Sequence, residues 1–265
     1  MRSFELTTER NEQFHRDGYL LVKALFDSEE IAGLLQFAKA DMVLADEAYV
    51  RRDGDGGETR LALRNHLDDD VPYTAVVRSR RIVQTMQTLL GDEVYHYHHK
   101  MMIKHPRIGG AWEWHQDYGY WYNFGCLFPD MGSCMLAVDR ATRENGCLQV
   151  LRGSHKIGRV DHCRIGEQVG ADPERVAVAK QRFELVAVEM APGDGLFFHG
   201  NLLHRSDQNR SDHPRWSLIN CYNTRHNDPF VQNGRHPNYS PLEIWEDAKV
   251  RQTLIGHQNT EDNSL

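Results

Sequence analysis

The sequence predicts a mainly β fold with flanking helices, arranged as a β-sandwich or jelly roll in one domain of 265 residues. From residue 93 onward, short apolar or alternating runs recur between turn signals rich in glycine, proline and asparagine. Few helical patterns separate these runs, which disfavours a parallel sheet with a helix after every strand. The runs predicted as strands are residues 94–104, 132–138, 183–190, 195–199 and 216–222.

The N-terminal part of the chain is predicted to be mostly helical. Gly18 favours a helix end, and residues 19–22 then predict a short strand. Asp27 is an N-cap candidate for a helix over residues 28–46. A further helix is predicted over residues 79–90, because a glycine follows it directly. The predicted division of the single domain is a helical part at 1–92, a β core at 93–225 and a C-terminal extension at 226–265.

Composition places the chain among ordinary globular proteins, with 40% hydrophobic and 26% charged residues. The formal net charge of -7 disfavours a nucleic-acid partner, because phosphate binding usually needs a basic face. No apolar run approaches about 18 residues, so no membrane span is expected. The first residues lack the apolar core of a signal peptide, and the five cysteines without CxxC spacing suit reduced thiols. A cytoplasmic location is therefore predicted.

The fifteen histidines prompt a search for metal ligands. A histidine precedes an aspartate by two residues at four places: His15/Asp17, His66/Asp68, His115/Asp117 and His226/Asp228. Only His115 and Asp117 lie in an aromatic segment, residues 112–122, near the end of a predicted strand. A spacing of two along a strand would place both side chains on one face, as two ligands of one ion require. The other three pairs are interpreted as solvated or loop residues.

His204 is the candidate for a third ligand on a distant strand. A hairpin that turns at residues 209–210 would set His204 opposite Arg215, and cross-strand partners share a face. Ser206 and Ser217 would share that face as well. The alternative is a polar hairpin on the surface, in which His204 and Arg215 are solvated.

A series of short motifs occurs in a fixed order between residues 14 and 223. In chain order they are FHRDGYLLV from Phe14, WHQD from Trp114, ENGCL from Glu144, GSHK from Gly153, PGD from Pro192, FHG from Phe198, and then His204, Ser206, Asn209, Ser211 and Arg215. Together they resemble the phytanoyl-CoA dioxygenase-like family of Fe(II)/2-oxoglutarate oxygenases, which includes ectoine hydroxylase. Arg152 departs from the family pattern, since many members carry proline before the Gly-Ser-His sequence.

The resemblance implies a double-stranded β-helix with helices packed outside, and an Fe(II) ion held by His115, Asp117 and His204. Two histidines and one carboxylate leave three coordination positions open, which 2-oxoglutarate and O2 would share. The implied reaction is hydroxylation, or a related C–H oxidation, of a small-molecule substrate with release of succinate and CO2. Related iron halogenases lack the carboxylate ligand, so Asp117 favours hydroxylation.

Arg215 is expected to bind the far carboxylate of 2-oxoglutarate, because a buried carboxylate needs a paired cation. Ser217 can add a hydroxyl donor, and Ser206 is expected beside it. Lys104, on the strand that leads to the metal motif, is a candidate to contact 2-oxoglutarate or an acidic substrate. The alternative for Lys104 is a surface lysine with a buried stem.

Trp114, Tyr118 and Trp121 are predicted to line the substrate pocket, although aromatic side chains beside a strand are more often core. His155 and His199 are predicted to be structural hydrogen-bonding residues and not ligands.

Residues 51–60 carry glycines at 54, 56 and 57, and glycine-rich loops on a rigid scaffold can close over a substrate. We therefore predict that this loop and the aromatic run at 118–122 together cover the iron, with the loop poorly ordered when no substrate is bound. The alternative is a plain surface loop far from the site.

Two other functional classes stay open on the sequence. A cupin-like metalloenzyme that does not use 2-oxoglutarate has no need for a dicarboxylate clamp, so Arg215 with Ser217 disfavours it. A non-catalytic 2-oxoglutarate-binding protein has no need for an intact ligand triad. The substrate itself is not predicted: a free amino acid, a lipid acyl group, a CoA thioester and a natural-product intermediate all fit.

Overall fold

The computed structural model describes residues 4–53, 56–69, 71–231 and 236–256. The helices are α1 (Thr8–Asp17), α2 (Ser28–Ala40), α3 (Met42–Glu47), α4 (Pro72–Val77), α5 (Arg80–Leu90), α6 (Asp117–Trp121), α7 (Pro173–Arg182) and α8 (Asp247–Gly256). Within the described ranges, no helix is long and apolar enough to cross a membrane.

Thirteen strands form the β part of the described chain. They are β1 (Tyr19–Val22), β2 (Tyr49–Arg52), β3 (Glu58–Arg64), β4 (Val94–Lys104), β5 (Trp112–His115), β6 (Met131–Ala137), β7 (Leu148–Leu151), β8 (His162–Ile165), β9 (Gln168–Ala171), β10 (Leu185–Val188), β11 (Gly195–His199), β12 (His204–Ser206) and β13 (Arg215–Thr224).

The strands form two facing antiparallel sheets and one separate hairpin. The larger sheet has the strand order β1-β11-β6-β13-β4-β3-β2, the smaller one has β10-β7-β12-β5, and β8 pairs with β9. Neighbours such as β1 and β11, or β4 and β13, are distant in sequence, so the connections cross between the sheets. The predicted mainly β fold with antiparallel sheets and flanking helices is confirmed.

Local signals set the ends of the N-terminal helices. α1 ends before Gly18, whose φ of 81° is in the left-handed region that glycine adopts without strain. Asp27 and Glu30 form a capping box at the start of α2. The single helix predicted over residues 28–46 is two helices, because Asp41 leaves the helical conformation and its carboxylate caps the first turn of α3.

Residues 51–60 are largely a β-hairpin and not the open loop that their glycines suggested. β2 and β3 enter this segment from either side, and residues 54–55 lie outside the described residues. The carboxylate of Asp53 accepts hydrogen bonds from the backbone N–H of Ala111 and from the side-chain amide of Gln208, at 2.6 and 2.9 Å. These contacts hold Asp53, which directly follows β2, against the segment that leads into β5 and the segment that follows β12.

The central strands of the larger sheet are buried on both faces, and adjacent residues on these strands enter different clusters. Phe197 and Leu218 pack under the helices, whereas their neighbours Phe198 and Ile219 pack between the two sheets. This alternation follows from the two-residue period of a strand. The space between the sheets is therefore lined from both sides, and the site described below opens into it.

Candidate metal centre

Two histidines that are distant in sequence meet through strand pairing in the smaller sheet. β12 lies between β7 and β5, and His204 on β12 is directly opposite His115 on β5. The centroids of the two rings are 4.0 Å apart, and both side chains are buried. The pairing of β12 with β5 therefore builds one half of the site.

Asp117 reaches the histidines by a turn and not along a strand. β5 ends at His115, and Asp117 is the first residue of α6, so the prediction that both side chains lie on one strand face is wrong. The turn brings Oδ1 of Asp117 to 3.9 Å from Nε2 of His115. The ligand atoms of His115, Asp117 and His204 lie within 4.8 Å of one another, and no other such group of three is found in the part of the chain that the structure describes.

The hydrogen bonds of the three residues leave one ligand atom of each available to a cation. Nδ1 of His115 and Nδ1 of His204 each donate to the backbone carbonyl two residues earlier, at 2.7 and 2.9 Å, so Nε2 of each ring carries the lone pair. Oδ2 of Asp117 accepts from Oγ of Ser133 at 3.0 Å, which leaves Oδ1. Two imidazole nitrogens and one carboxylate oxygen fit a non-haem Fe(II) ion.

The surroundings favour the protonation states that bind a metal. Burial lowers the pKa of His115 well below its ordinary value, and the nearby His204 lowers it further. Burial also lowers the pKa of His204. Burial alone would raise the pKa of Asp117, but the positive charge of Lys100, together with the hydrogen bond from Ser133, outweighs burial, so that pKa is lowered. Neutral imidazoles and an ionised carboxylate are the forms that coordinate a divalent cation.

A cavity of about 440 Å³, including its open mouth, adjoins the three residues. Its apolar wall is formed by Met102, Trp112, Met135, Leu148, Phe198 and Ile219. Three cationic side chains also line it: Lys100, Arg205 and Arg215. The cavity thus combines an apolar body with positive charge, a combination that suits small anionic ligands.

Arg215, at the start of β13, is buried in the cavity wall. Within the described residues its guanidinium has no hydrogen-bond or ion-pair partner, and its Nε is enclosed and unpaired. Burial lowers the pKa of Arg215 to about 10. A buried guanidinium without an anion is unfavourable, so this position favours binding of an anionic ligand.

His204 and Arg215 converge on the cavity by a different route from the predicted hairpin. β12 pairs with β5 and β7, whereas β13 pairs with β4 and β6, so the two strands belong to different sheets. The predicted pairing of His204 with Arg215 across a turn at residues 209–210 is wrong, and Arg215 is opposite Lys104 instead. Residues 207–214 cross from one sheet to the other, and the two side chains meet because the sheets face each other.

The other predicted cosubstrate residues surround Arg215. Nζ of Lys104 donates to Oγ of Ser206 at 2.9 Å and to the carbonyl of Asp207. Ser206 lines the cavity, whereas Lys104 is fully buried behind it. Burial, and then the charge of Arg215, lower the pKa of Lys104 well below its ordinary value. Ser217 is two residues beyond Arg215 on the same strand face, and its buried hydroxyl has no hydrogen-bond partner among the residues that the structure describes.

A β-bulge changes which tryptophan faces the cavity. His204 pairs with His115 and Ser206 with Trp112, so three steps along β5 correspond to two steps along β12. The extra residue lets Trp112 share a face with His115, and Trp112 lines the cavity. Trp114, which we predicted to contact the substrate, packs instead in a separate apolar cluster behind the smaller sheet.

Tyr118 and Trp121 also lie in the core and not on the cavity wall. The hydroxyl of Tyr118 donates to a backbone carbonyl at 2.6 Å, and the ring of Trp121 packs edge-on against Tyr97 with centroids 5.8 Å apart. Tyr120 is nearer to the site, with its ring centroid 5.7 Å from that of His115. The aromatic residues of this segment therefore mainly pack α6 against the core between the two sheets.

Gln116, between two of the site residues, ties the motif to the surrounding loops. Its side-chain amide donates to the carbonyls of Gly158 and Asn201 at 2.8 and 2.7 Å and accepts from the N–H of Val160 at 2.7 Å. Its own N–H donates to Nε2 of His162 at 3.1 Å. These bonds fix the backbone from which the residues on either side project.

Replacement of Gln116 by alanine is expected to lower the free energy of unfolding by about 2–4 kcal/mol, because three backbone groups would be left unpaired in the interior. Urea denaturation of the purified protein measures this change. Gln181→Ala, at an exposed position on α7, is the matched control and should alter stability little. Equal stabilities for the two variants would contradict the anchoring role.

The remaining histidines singled out by the sequence lie elsewhere. His226 is on the surface and bridges two aspartates at 2.8 and 2.9 Å, and His66 lies 3.6 Å from Asp68 with both side chains exposed. His155 hydrogen bonds to a backbone carbonyl, and His199 accepts a backbone N–H. Their contacts are structural, in agreement with the prediction for His155 and His199.

Lys100 is a cavity residue that the sequence reasoning missed. It precedes Met102 and Lys104 on β4 at intervals of two, so the alternation that places Lys104 inside also places Lys100 there. Its Nζ lies 3.9 Å from Oδ1 of Asp117. Burial lowers the pKa of Lys100, but the charge of Asp117 and other acidic groups outweighs burial, and the pKa is raised.

Comparison with known proteins identifies several relatives, among them a proline hydroxylase and an ectoine dioxygenase. The L-proline trans-4-hydroxylase of Streptomyces griseoviridis is 29% identical over 259 residues, which cover 89% of this chain and 91% of the relative. The ectoine dioxygenase of Sphingopyxis alaskensis is 29% identical over 226 residues, which cover 79% of this chain and 73% of the relative. Both names describe oxidation of a small molecule.

Solved structures share the fold. EctD from S. alaskensis, determined with 2-oxoglutarate and 5-hydroxyectoine, superposes with a TM-score of 0.75 at 24% identity over 91% of this chain and 88% of that chain. The same protein with bound Fe gives a TM-score of 0.76. The predicted double-stranded β-helix, or jelly roll, is confirmed by this likeness.

The sequence profile of the family described as phytanoyl-CoA dioxygenase (PhyH) matches residues 14–217. This span includes the site residues and all of the motifs named above, from Phe14 to Arg215. The predicted family and the predicted class of enzyme, a dioxygenase of the iron and 2-oxoglutarate kind, are confirmed. This chain belongs to the phytanoyl-CoA dioxygenase family.

Proposed function

We propose that this protein is an Fe(II)- and 2-oxoglutarate-dependent dioxygenase that hydroxylates, or otherwise oxidises, an unactivated C–H bond of a small molecule, with release of succinate and CO2. The observation that carries this proposal is the buried, unpartnered Arg215 on the wall of the cavity that adjoins His115, Asp117 and His204. The three residues account for a metal ion, and Arg215 accounts for a dicarboxylate.

His115, Asp117 and His204 would hold the iron and leave three coordination positions open for 2-oxoglutarate and O2. When bound, Fe(II) would supply the redox chemistry, in which O2 is the oxidant, 2-oxoglutarate is decarboxylated to succinate and CO2, and a C–H bond of the substrate is oxidised. The chain itself orients the ligands: backbone carbonyls fix both imidazole rings, and the hydroxyl of Ser133 restrains rotation of the Asp117 carboxylate.

Arg215 would pair with the far carboxylate of 2-oxoglutarate, since its planar guanidinium can bind a carboxylate through two hydrogen bonds. Ser217, whose hydroxyl is unpartnered, would add a donor. Ser206 would contact the cosubstrate from the cavity wall, and Lys104 would act one step behind by holding the Ser206 hydroxyl. The apolar residues around Arg215 exclude water, which would strengthen its ion pair with the carboxylate of 2-oxoglutarate.

The two alternative classes meet specific objections. A cupin-like metalloenzyme without 2-oxoglutarate gives no reason for an unpaired guanidinium in the cavity wall. A non-catalytic 2-oxoglutarate-binding protein would not need three buried residues that are each oriented to bind a metal ion. In His115, His204 and Asp117, hydrogen bonds engage one side-chain atom and leave the other available to a metal. Family membership favours the dioxygenase over both.

The named relatives suggest where to look for the substrate, since they act on L-proline and ectoine. Trp112 replaces Trp114 as the proposed substrate-lining tryptophan, because it shares the cavity with His115. A cytoplasmic location is proposed from the five free cysteines, four of which are buried as thiols. The lid formed by residues 51–60 stays a prediction.

Succinate formation from 2-oxoglutarate tests the proposed function. We expect slow, Fe(II)-dependent succinate release without a prime substrate, and a marked rise when L-proline, ectoine or another member of a small-molecule panel is a true substrate. Strict dependence on Fe(II) separates this reaction from contaminants. Absence of Fe(II)-dependent succinate in every mixture would exclude the dioxygenase and favour a binding protein.

A further inference from the structure

Lys100 is a cation in the cavity wall that the proposed cosubstrate does not account for. Arg215 is assigned to 2-oxoglutarate, and the guanidinium of Arg205 is engaged by Asp207. Lys100 has an 18% exposed side chain, and within the described ranges it makes no hydrogen bond. Its one ion pair in the described part of the chain is with Asp117, at 3.9 Å, which is longer than a hydrogen bond.

The contact between Lys100 and Asp117 would weaken if a metal ion bound to Asp117. Oδ1 of Asp117, the oxygen nearest Lys100, is also the oxygen left available to the metal. The charges of Fe(II), Asp117, dianionic 2-oxoglutarate and Arg215 cancel one another. The charge of Lys100 is then uncompensated in a mostly buried place, which is unfavourable unless an anion joins it.

The surroundings of Lys100 describe the shape of that anion. Lys100 lies between β13 and β3, opposite Ile219 on one side and Leu63 on the other, so its strand neighbours offer no charge. Met102 and Ile219 continue the apolar wall. One uncompensated positive charge matches a singly charged carboxylate better than a doubly charged phosphate ester. The volume of about 440 Å³, which counts the open mouth and is shared with 2-oxoglutarate, limits this anion to a small molecule.

We propose that Lys100 binds the carboxylate of the prime substrate, so that this enzyme oxidises small carboxylic acids with an apolar body. This inference rests on the proposed function and narrows it to one substrate class. Lys100 lies beside the metal ligand Asp117, so a carboxylate held there would keep the rest of the substrate close to the metal.

The test pairs small carboxylic acids with their primary amides, L-proline with L-prolinamide among them, because each amide keeps the shape and removes the charge. Phosphate esters of similar size form a third arm. Binding is measured by calorimetry with the zinc- and 2-oxoglutarate-loaded protein, since Zn(II) is redox-inert. Succinate release is measured with the Fe(II) protein. For each protein, the affinity for the acid is divided by the affinity for its amide, and succinate release is divided in the same way. A general loss of activity in a variant then cancels in the ratio.

We expect the acids to bind the wild-type protein more tightly than their amides by about tenfold or more. Lys100→Gln should bring this ratio close to one, and Lys100→Arg should restore it. Lys156→Gln, an exposed lysine outside the cavity, is the matched control and should keep the wild-type ratio. Calorimetry detects the preference even where the Lys100 variant turns over poorly.

Three results would overturn the inference: equal binding of acids and amides by the wild-type protein, tighter binding of phosphate esters, or an unchanged ratio in Lys100→Gln. Each of these leaves Fe(II)-dependent succinate release intact, so the proposed function would survive. Loss of the proposed function would instead appear as the absence of succinate in the wild-type protein.

Discussion

Replacement of His204 by alanine is expected to reduce Fe(II)-dependent succinate formation to background. The imidazole supplies one of three protein ligands, and the remaining pair, His115 and Asp117, cannot complete the facial set that Fe(II) oxygenases use. Iron retained per chain after gel filtration should fall in parallel. The fold should persist, because the neutral His204 side chain makes one hydrogen bond, to a backbone carbonyl, and no ion pair within the described residues.

His226→Ala is the matched control for this prediction. His226 also stands two residues before an aspartate, but it bridges Asp92 and Asp130 on the surface. Its removal should leave iron content and succinate formation near the wild-type values. Full activity in His204→Ala, or loss of activity in His226→Ala alone, would contradict the assignment of the metal ligands.

Arg215→Met is expected to raise the Michaelis constant for 2-oxoglutarate by about 30-fold or more. Removing one partner of a buried charge pair is unfavourable by about 2–5 kcal/mol, and every 1.4 kcal/mol is a factor of ten in affinity. Iron affinity should change far less, because Arg215 is not among the three clustered ligands. Steady-state succinate assays across a 2-oxoglutarate series measure the constant.

Stability of the unloaded protein gives an independent check on Arg215. Its guanidinium is buried without an anion, so methionine should leave the free energy of unfolding unchanged or raise it. Arg225→Met, at an exposed position after β13, is the control and should not change the Michaelis constant. If the Michaelis constant for 2-oxoglutarate is unchanged in Arg215→Met, another residue binds the far carboxylate, with Lys104 as the next candidate.

Much of the fold was predictable, because strong local patterns coincide with the final structure. The strands at 19–22, 94–104 and 195–199 have the predicted bounds, since alternating or continuous apolar runs there are flanked by clear turn signals. The glycines at 18 and 91 end helices in the left-handed conformation, as expected. His115, Asp117 and His204, which the motif context singled out, also lie together in the fold.

The predictions that were wrong concern the pairing of strands that are distant in sequence. Local sequence patterns do not determine which distant strands pair. The segment after His204 contains polar turn residues whether β12 and β13 form a hairpin or separate into facing sheets, so the register with Arg215 was wrong. The β-bulge opposite Ser206 also cannot be predicted from the local sequence. Because of this bulge, Trp112 and not Trp114 faces the cavity. Gln116 and Lys100 act through contacts with remote segments, which only the folded chain brings together.

The ligands from β5, α6 and β12 and the cations from β4 and β13 face each other across the two sheets. A metal ion alone would therefore stiffen the smaller sheet, whereas a dicarboxylate that also engages Arg215 would join both. Amide hydrogen exchange should record these as separate steps, with protection first in β12 and then, after 2-oxoglutarate, in β13. Binding of the metal ion and 2-oxoglutarate would thus link the two sheets to each other, whether or not any loop closes over the cavity.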